Sequence, residues 1–436
     1  MRDLLILAIV VIGALIALRR PWIGILLWTW LSIMNPHRYA WGIAYEAPVA
    51  AIAAVSVLLG FLFTKEKQSP FQGAPIVIFL LFSLWVTASW LLGYDVSGDY
   101  AQWDKVMKIY LMTFVALMLL DHKQKIIAFA WVTIMSLAIL GAKGGLFTLL
   151  TGGSYRVWGP AGSFIADNNH FALALIMTIP LLHFLQLQVT KRLYHHALTA
   201  MMLFCAIAAI GSYSRGGLLA IAAMTAFMWW RSEKKVLVGL AIIFMVMIFL
   251  PFMPEHWWDR MSTIQNYEED GSAMGRINAW IVAWEVAKHN LFGGGMSYQH
   301  QFFFSMYGAH ETIVRAAHSI YFQILGNHGF IGLALYLFIW FSTYRYAGWL
   351  RKHGKANPQT KWTSDLGAMA QVSLVGYAAG GAFLSMPYFD LPYNLMVMVV
   401  LARMWVEKRA WENESEVTLM EMLGFRRKVV QKVPAA

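Results

Sequence analysis

Of 436 residues, 34 are Lys or Arg and 23 are Asp or Glu, so charged side chains make up 13% of the chain, about half the ~25% usual in soluble domains. Hydrophobic residues reach 59% and aromatic residues 15%, more apolar surface than a soluble fold of this length can enclose. Those figures exclude a disordered chain, a disulfide-stapled secreted domain and an ordinary cytosolic enzyme, and they point to a membrane protein.

Apolar runs follow one another along the chain at roughly residues 3–18, 21–34, 47–63, 74–93, 106–120, 126–150, 168–189, 194–211, 216–230, 236–252, 329–348, 364–386 and 391–405. Several are shorter than the ~20 residues that an upright helix needs to cross a bilayer. Together they predict an all-α, polytopic integral membrane protein with 12 or 13 transmembrane helices. Arg19-Arg20 follows the first run instead of preceding it, so that run reads as an anchor and not as a cleavable signal. Cys205, the single cysteine, sits inside the run 194–211 and reads as a small core residue.

Orientation follows from the basic residues. Connections around Arg19-Arg20, Lys65/Lys67, Lys123/Lys125, Lys191-Arg192, Arg231/Lys234-Lys235 and Arg345–Lys361, with the tail from Arg403, hold 23 of the 34, which makes that side cytoplasmic. The net charge of +11 thus lies at the ends of apolar runs and points to membrane lipids, not to nucleic acid. Thirteen spans would put the N-terminus outside and twelve inside. The far side then carries residues 35–46, 94–104, 151–167, 212–215 and a long stretch, 253–328. That stretch is too long for a structureless connector and contains a predicted helix, capped by Ser272, running to His289 and stopped by Gly293-Gly-Gly295. Ile277, Trp280, Ile281 and Trp284 share one face of it, which predicts a helix on the membrane surface or over a cavity. The chain accordingly divides into N-terminal helices (1–125), central helices (126–252), the large outer loop with its re-entry helix (253–328), C-terminal helices (329–405) and a cytoplasmic tail (406–436).

Three constellations on the far side carry chemistry. In Gly211-Ser-Tyr-Ser-Arg-Gly-Gly217, Arg215 stands at a helix start with Tyr213 and Ser214 beside it and glycines that let a ligand approach. An anion there meets a guanidinium and the positive end of a helix dipole; the plain alternative is an arginine that snorkels to lipid headgroups. Arg276 has Trp280 one turn later on the loop helix, a pairing suited to a phosphate or a sugar ring, although an exposed arginine on an amphipathic helix needs no such role. Where the loop re-enters the membrane, His318, Tyr321 and Gln323 recur on a predicted helix of otherwise apolar residues, and Gly326, Gly329 and Gly332 permit a break before the next span. Histidine can take a proton near neutral pH; a histidine hydrogen-bonded inside a bundle is the structural alternative, and His328 is a weaker rival.

Lesser candidates are Asp167 or Asn168 in Phe164–His170, whose simpler role is to cap a helix, and Lys143, which lies well inside an apolar run. Glu268-Glu-Asp270 reads as a solvated acidic turn. Neither a metal-ligand motif nor a nucleotide-triphosphate loop is present, so no metal and no cofactor is expected.

His318-Ser319 followed by Gly329 and Gly332, Ser214-Arg215-Gly216, and Arg276 through Trp280 with His289–Gly295 together resemble the signatures of the O-antigen ligase (WaaL-like) family over roughly residues 125–405. Arg20–Gly24 and Met34–Tyr39 resemble its exosortase-associated O-glycosylation ligase subgroup. The resemblance implies a multi-pass protein of the bacterial inner membrane with a periplasmic active site. It implies metal-independent transfer of a glycan from undecaprenyl pyrophosphate to a sugar hydroxyl of lipid A–core, with His318 activating the acceptor and Arg215 and Arg276 binding the pyrophosphate. In-line displacement would invert the anomeric centre. A protein O-oligosaccharyltransferase or an O-antigen polymerase would use the same donor, and a lipid-linked glycan transporter would use similar arginines.

Overall fold

The computed structural model describes residues 1–232, 234–249, 253–255, 257–258, 271–309 and 313–412. Among the described residues every regular element is helical: α1 (Arg2–Arg19), α2 (Pro21–Met34), the single turn α3 (Ile43–Glu46), α4 (Val49–Phe63), α5 (Ala74–Leu91), α6 (Val96–Leu119), α7 (Lys123–Leu150), α8 (Asn168–Leu187), α9 (Arg192–Gly211), α10 (Arg215–Arg231), α11 (Lys235–Phe249), α12 (Gly271–His289), α13 (Gln301–Tyr307), α14 (Ile320–His353), α15 (Lys361–Gly381) and α16 (Asp390–Glu407).

Each apolar run coincides with one of these helices. Five helices are long and apolar enough to cross a membrane among the described residues, namely α5, α7, α8, α9 and α14 with its short extension to Ala356. The chain is a membrane protein on that ground; α2 and α4 are apolar but shorter. Local chemistry sets the starts. Pro21 occupies the first turn of α2, where its missing N–H costs nothing. Asp95, Asp167 and Ser214 cap α6, α8 and α10 by accepting from the N–H of Gly98, Asn169 and Gly217 at 2.9, 2.9 and 3.0 Å.

α8 and α16 form the centre. Residues 172–177 and 395–400 are wholly buried on every side, the pattern of a helix surrounded by others. Around them small residues let backbones close: Gly145 of α7 leaves no room for a side chain beside the Phe204 backbone, and Gly141 none beside Cys205, which is buried as a core residue.

The connections sort to the two ends of the bundle. At one end, Asp3 accepts from Gly42 and Ala44 at 2.9 and 3.2 Å, so the start of α1 lies beside the connection 35–46. At the other, Ala74 donates to the Tyr346 hydroxyl at 3.0 Å, and the Arg403 guanidinium lies 3.9 Å over the Tyr346 ring.

Several expectations are corrected. α6 starts ten residues ahead of its apolar run; Asp99 is buried in its first turn and accepts from Met296 and Ser297 at 2.7 and 3.1 Å, which clamps the segment after α12 to the bundle. The face of α12 that is buried consists of Ala279, Val282, Ala283 and Val286, packed with Phe303, Phe304 and Ala317. Ile277, Trp280 and Ile281 are half-buried and Trp284 is 48% exposed, so this helix packs into the core of its own segment through a different face from the Ile277–Trp284 one. The Ser272 side chain and Glu268–Asp270 lie outside the described residues.

Candidate active site

The site begins with a broken helix. Gly329 has φ 68° and ψ −173° inside α14, a region that essentially only glycine occupies. The break frees carbonyls that a continuous helix would have paired. Gly294 and Gly295 donate to Gly326 and Asn327 at 2.8 and 3.1 Å, and the Trp85 indole donates to His328 at 2.8 Å. The glycine triplet after α12 is thus the segment whose backbone satisfies the break, and Gly293 and Gly295 hold positive φ to do so.

Ahead of the break, His318 is not on the helix, as its periodicity predicts, but two residues before it, at φ 46°. A left-handed conformation is uncommon for a residue with a side chain and is sustained only where neighbours enforce it. Trp280 supplies the enforcement: its indole N–H donates to the carbonyl of Ala317 at 2.7 Å, while its ring stacks on Phe322 at 4.8 Å. Trp280 is therefore a strut behind His318, with one face of its ring covered by Phe322.

Three groups surround the His318 imidazole electrostatically. Burial first, then the Arg276 guanidinium, then His170 push it down from 6.5 to about 4, against the pull of Asp167. At neutral pH the ring is uncharged, and its Nδ1 is buried with no hydrogen-bond partner. The Ser319 hydroxyl and the Gln323 side-chain oxygen on the next turn are also buried and unpartnered, as is Nε2 of His170. Unsatisfied buried polar atoms are rare, so four on neighbouring segments mark a place built for a polar ligand or water. His170 also hydrogen-bonds the Phe164 carbonyl through its ring. Sequence reasoning took the stretch Phe164–His170 for a helix cap and missed the histidine; its only signal was a position one turn after Asp167.

Arg215 opens α10 at the same end. Tyr213, at φ 60°, turns the chain into that helix, and its buried hydroxyl donates to the Gly153 carbonyl. The Arg156 guanidinium lies 5.7 Å over the Tyr213 ring. Ser214 is spent on the cap, and Asn168 donates to the Ser212 carbonyl at 2.7 Å. A Cβ at Gly217 would lie 3.1 Å from Ala172, so the first turn of α10 packs on the first turn of α8, two residues from His170. The starts of α8, α10 and α14 converge, since Gly381 of α15 presses on Ile320 while Gly380 of the same helix presses on Leu173 and Ala220.

The supporting residues thus have structural duties. Tyr321 donates to Ala378 at 2.8 Å and ties α14 to α15. His328 is fully buried, bonds the Tyr388 hydroxyl at 2.7 Å through Nε2 and sits edge-on to Phe82, and its Nδ1 is buried without a partner. Lys143 lies 4.2 Å over the Tyr39 ring. Among the described residues no three His, Cys, Asp or Glu side chains come together to hold a metal ion. Chemically, the site offers an uncharged imidazole, a guanidinium that acts on it electrostatically and the converging starts of α8, α10 and α14, an arrangement that favours an anion next to a proton acceptor.

Comparison with known families agrees with that chemistry. Residues 200–337 match the O-antigen ligase family, a segment that includes Arg215, Arg276, Trp280 and His318. Residues 1–190, which include Asn168 and His170, match a family of unknown function (DUF5935). No curated protein matches the chain. The first match supports an activity of the O-antigen ligase or polymerase type, on lipid-linked glycans in a membrane setting.

Proposed function

We propose that this chain is an O-antigen ligase of the bacterial inner membrane, an inverting glycosyltransferase that moves a glycan from undecaprenyl pyrophosphate to a sugar hydroxyl of lipid A–core on the periplasmic side. The observation that carries this reading is His318 held in a left-handed turn with its Nδ1 buried and without a partner, under the electrostatic influence of Arg276 and inside the segment that matches the ligase family.

In this mechanism the pyrophosphate of the donor lies against Arg276 and Arg215, whose guanidiniums can each grip two oxygens. The acceptor oxygen attacks the anomeric carbon as the bond from that carbon to the pyrophosphate breaks. Its proton passes to His318, and the departing pyrophosphate keeps the bonding electron pair, with the charge spread over oxygens that the arginines already hold. Attack opposite the leaving group inverts the anomeric centre. The guanidinium that weakens His318 as a base in the free protein is offset once a pyrophosphate anion sits on it, so donor binding raises the proton affinity of His318 when a base is needed. His170 stands next to His318 with a free Nε2 and is suited to hold or relay that proton.

Purified protein should transfer a lipid-linked glycan to lipid A–core with no added metal or nucleotide. Lengthening of the donor glycan instead would make it a polymerase. Transfer to a pilin-like protein would make it a protein ligase, an acceptor class that the N-terminal resemblance to the exosortase-associated subgroup leaves open. Transmembrane movement of intact donor with no new bond would overturn the enzymatic reading.

A further inference from the structure

At the opposite end of the molecule the last turn of α10, the second half of α14, α15 and α16 enclose a crevice of about 790 Å³. α10 separates it from Arg215 by its 17 residues, about 25 Å at 1.5 Å per residue. Arg231, Arg345, Arg351, Lys352 and Arg403 line it, and no Asp or Glu does. Arg231 donates to Gln371 at 2.9 Å, and Arg403 is paired with Glu407 at 2.7 Å. Arg345, Arg351 and Lys352 have no carboxylate within ion-pair distance among the described residues. So many cations around one hollow repel one another unless an anion occupies it.

We propose that this crevice binds the headgroup of a membrane lipid that carries two phosphates. The surface leading to it identifies an amphiphile. On α14, Phe338 and Phe341 are 58% and 62% exposed, and Arg345 and Lys352 follow at helical spacing on the same side. An acyl chain along the phenylalanines delivers its phosphate to the cations. Trp230 and Trp349 line the same crevice, and such rings favour the level of lipid headgroups. Basic hollows between helices at the cytoplasmic face are where multiply charged headgroups settle, and the distribution of basic residues along the sequence assigns the connections at this end to that face. Two phosphates match the several fixed cations better than one.

The test uses the full chain in detergent micelles and native mass spectrometry, with diphosphatidylglycerol, phosphatidylglycerol and phosphatidylcholine as probes. Wild type should retain diphosphatidylglycerol at least ~10-fold better than phosphatidylcholine, and millimolar inorganic phosphate should not displace it. The triple variant Arg345→Gln, Arg351→Gln, Lys352→Gln should lose that preference. A variant with Lys191→Gln and Arg192→Gln, which removes charge at the same end outside the crevice, should keep it. Undiminished retention by the triple variant, an equal loss in the control, or complete displacement by free phosphate would each overturn the proposal. If the triple variant does not fold, Arg345→Glu alone must lower retention for the proposal to stand.

Discussion

The Trp280 indole donates to the carbonyl of Ala317, one residue ahead of His318, at 2.7 Å. Through that bond α12 sets the backbone turn from which the candidate base projects. Trp280→Phe keeps a ring to stack on Phe322 but strands a buried carbonyl, which costs ~1–3 kcal/mol. We expect a transfer rate about 10-fold lower with donor binding retained. A Phe variant as active as wild type would instead favour sugar stacking as the role of the ring.

Removal of the imidazole at His318 should matter more. A general base contributes ~10²–10⁴-fold in rate, so His318→Ala should lose transfer on that scale at normal protein level. His170→Gln should have a smaller effect, because the first proton acceptor remains. Near-normal turnover of His318→Ala, measured with purified protein, would remove that residue from the mechanism.

Replacing Arg215 or Arg276 with Lys preserves charge and discards the planar fork. If each guanidinium grips two phosphate oxygens, both Lys variants should bind the donor more weakly and transfer more slowly. Free interchange in a donor-binding assay would reduce the arginines to topology or lipid anchors.

pH dependence carries a definite sign. His318 must be neutral to accept a proton, and burial with Arg276 brings it to about 4 in the free protein. The acid limb of kcat/KM should therefore fall only as pH drops through about 4. With donor bound, the pyrophosphate charge raises His318, so the acid limb of kcat should lie at higher pH than that of kcat/KM. Arg276→Gln removes a repelling cation and should move the free-protein limb upward toward 6.5. Rate profiles for the two proteins check this, and a limb that moves downward would contradict the pairing.

Metal dependence can be tested by chelation. Asp167 is engaged in capping α8, Asp99 in holding Met296 and Ser297, and Asp390 in accepting from Ser32. Mg²⁺ usually recruits one or two protein carboxylates plus phosphates and water, and these carboxylates already have other tasks. Transfer should survive excess EDTA and gain nothing from Mg²⁺ or Mn²⁺. Activity lost in chelator and regained with one divalent ion would show that the arginines are not the main electrophiles.

Composition and the length of apolar runs decided the membrane setting and the positions of the helices, because burial in lipid is dictated by side-chain polarity run by run. The glycines at 326, 329 and 332 announced a broken helix from spacing alone, since essentially only glycine accepts the combination of φ 68° and ψ −173° that Gly329 adopts. Arg215, Arg276 and His318 could be singled out because polar groups are costly in such surroundings. Their arrangement was not legible. That His318 lies in a left-handed turn, that Trp280 holds it from behind and that His170 and Asp167 act on it depend on interactions between residues 37 to 151 positions apart. Asp99 clamping Met296 is of the same kind, at a separation of 197. No periodicity encodes such pairs. They are settled when α8, α10 and α14 pack with their starts together, and only the tertiary structure decides that packing.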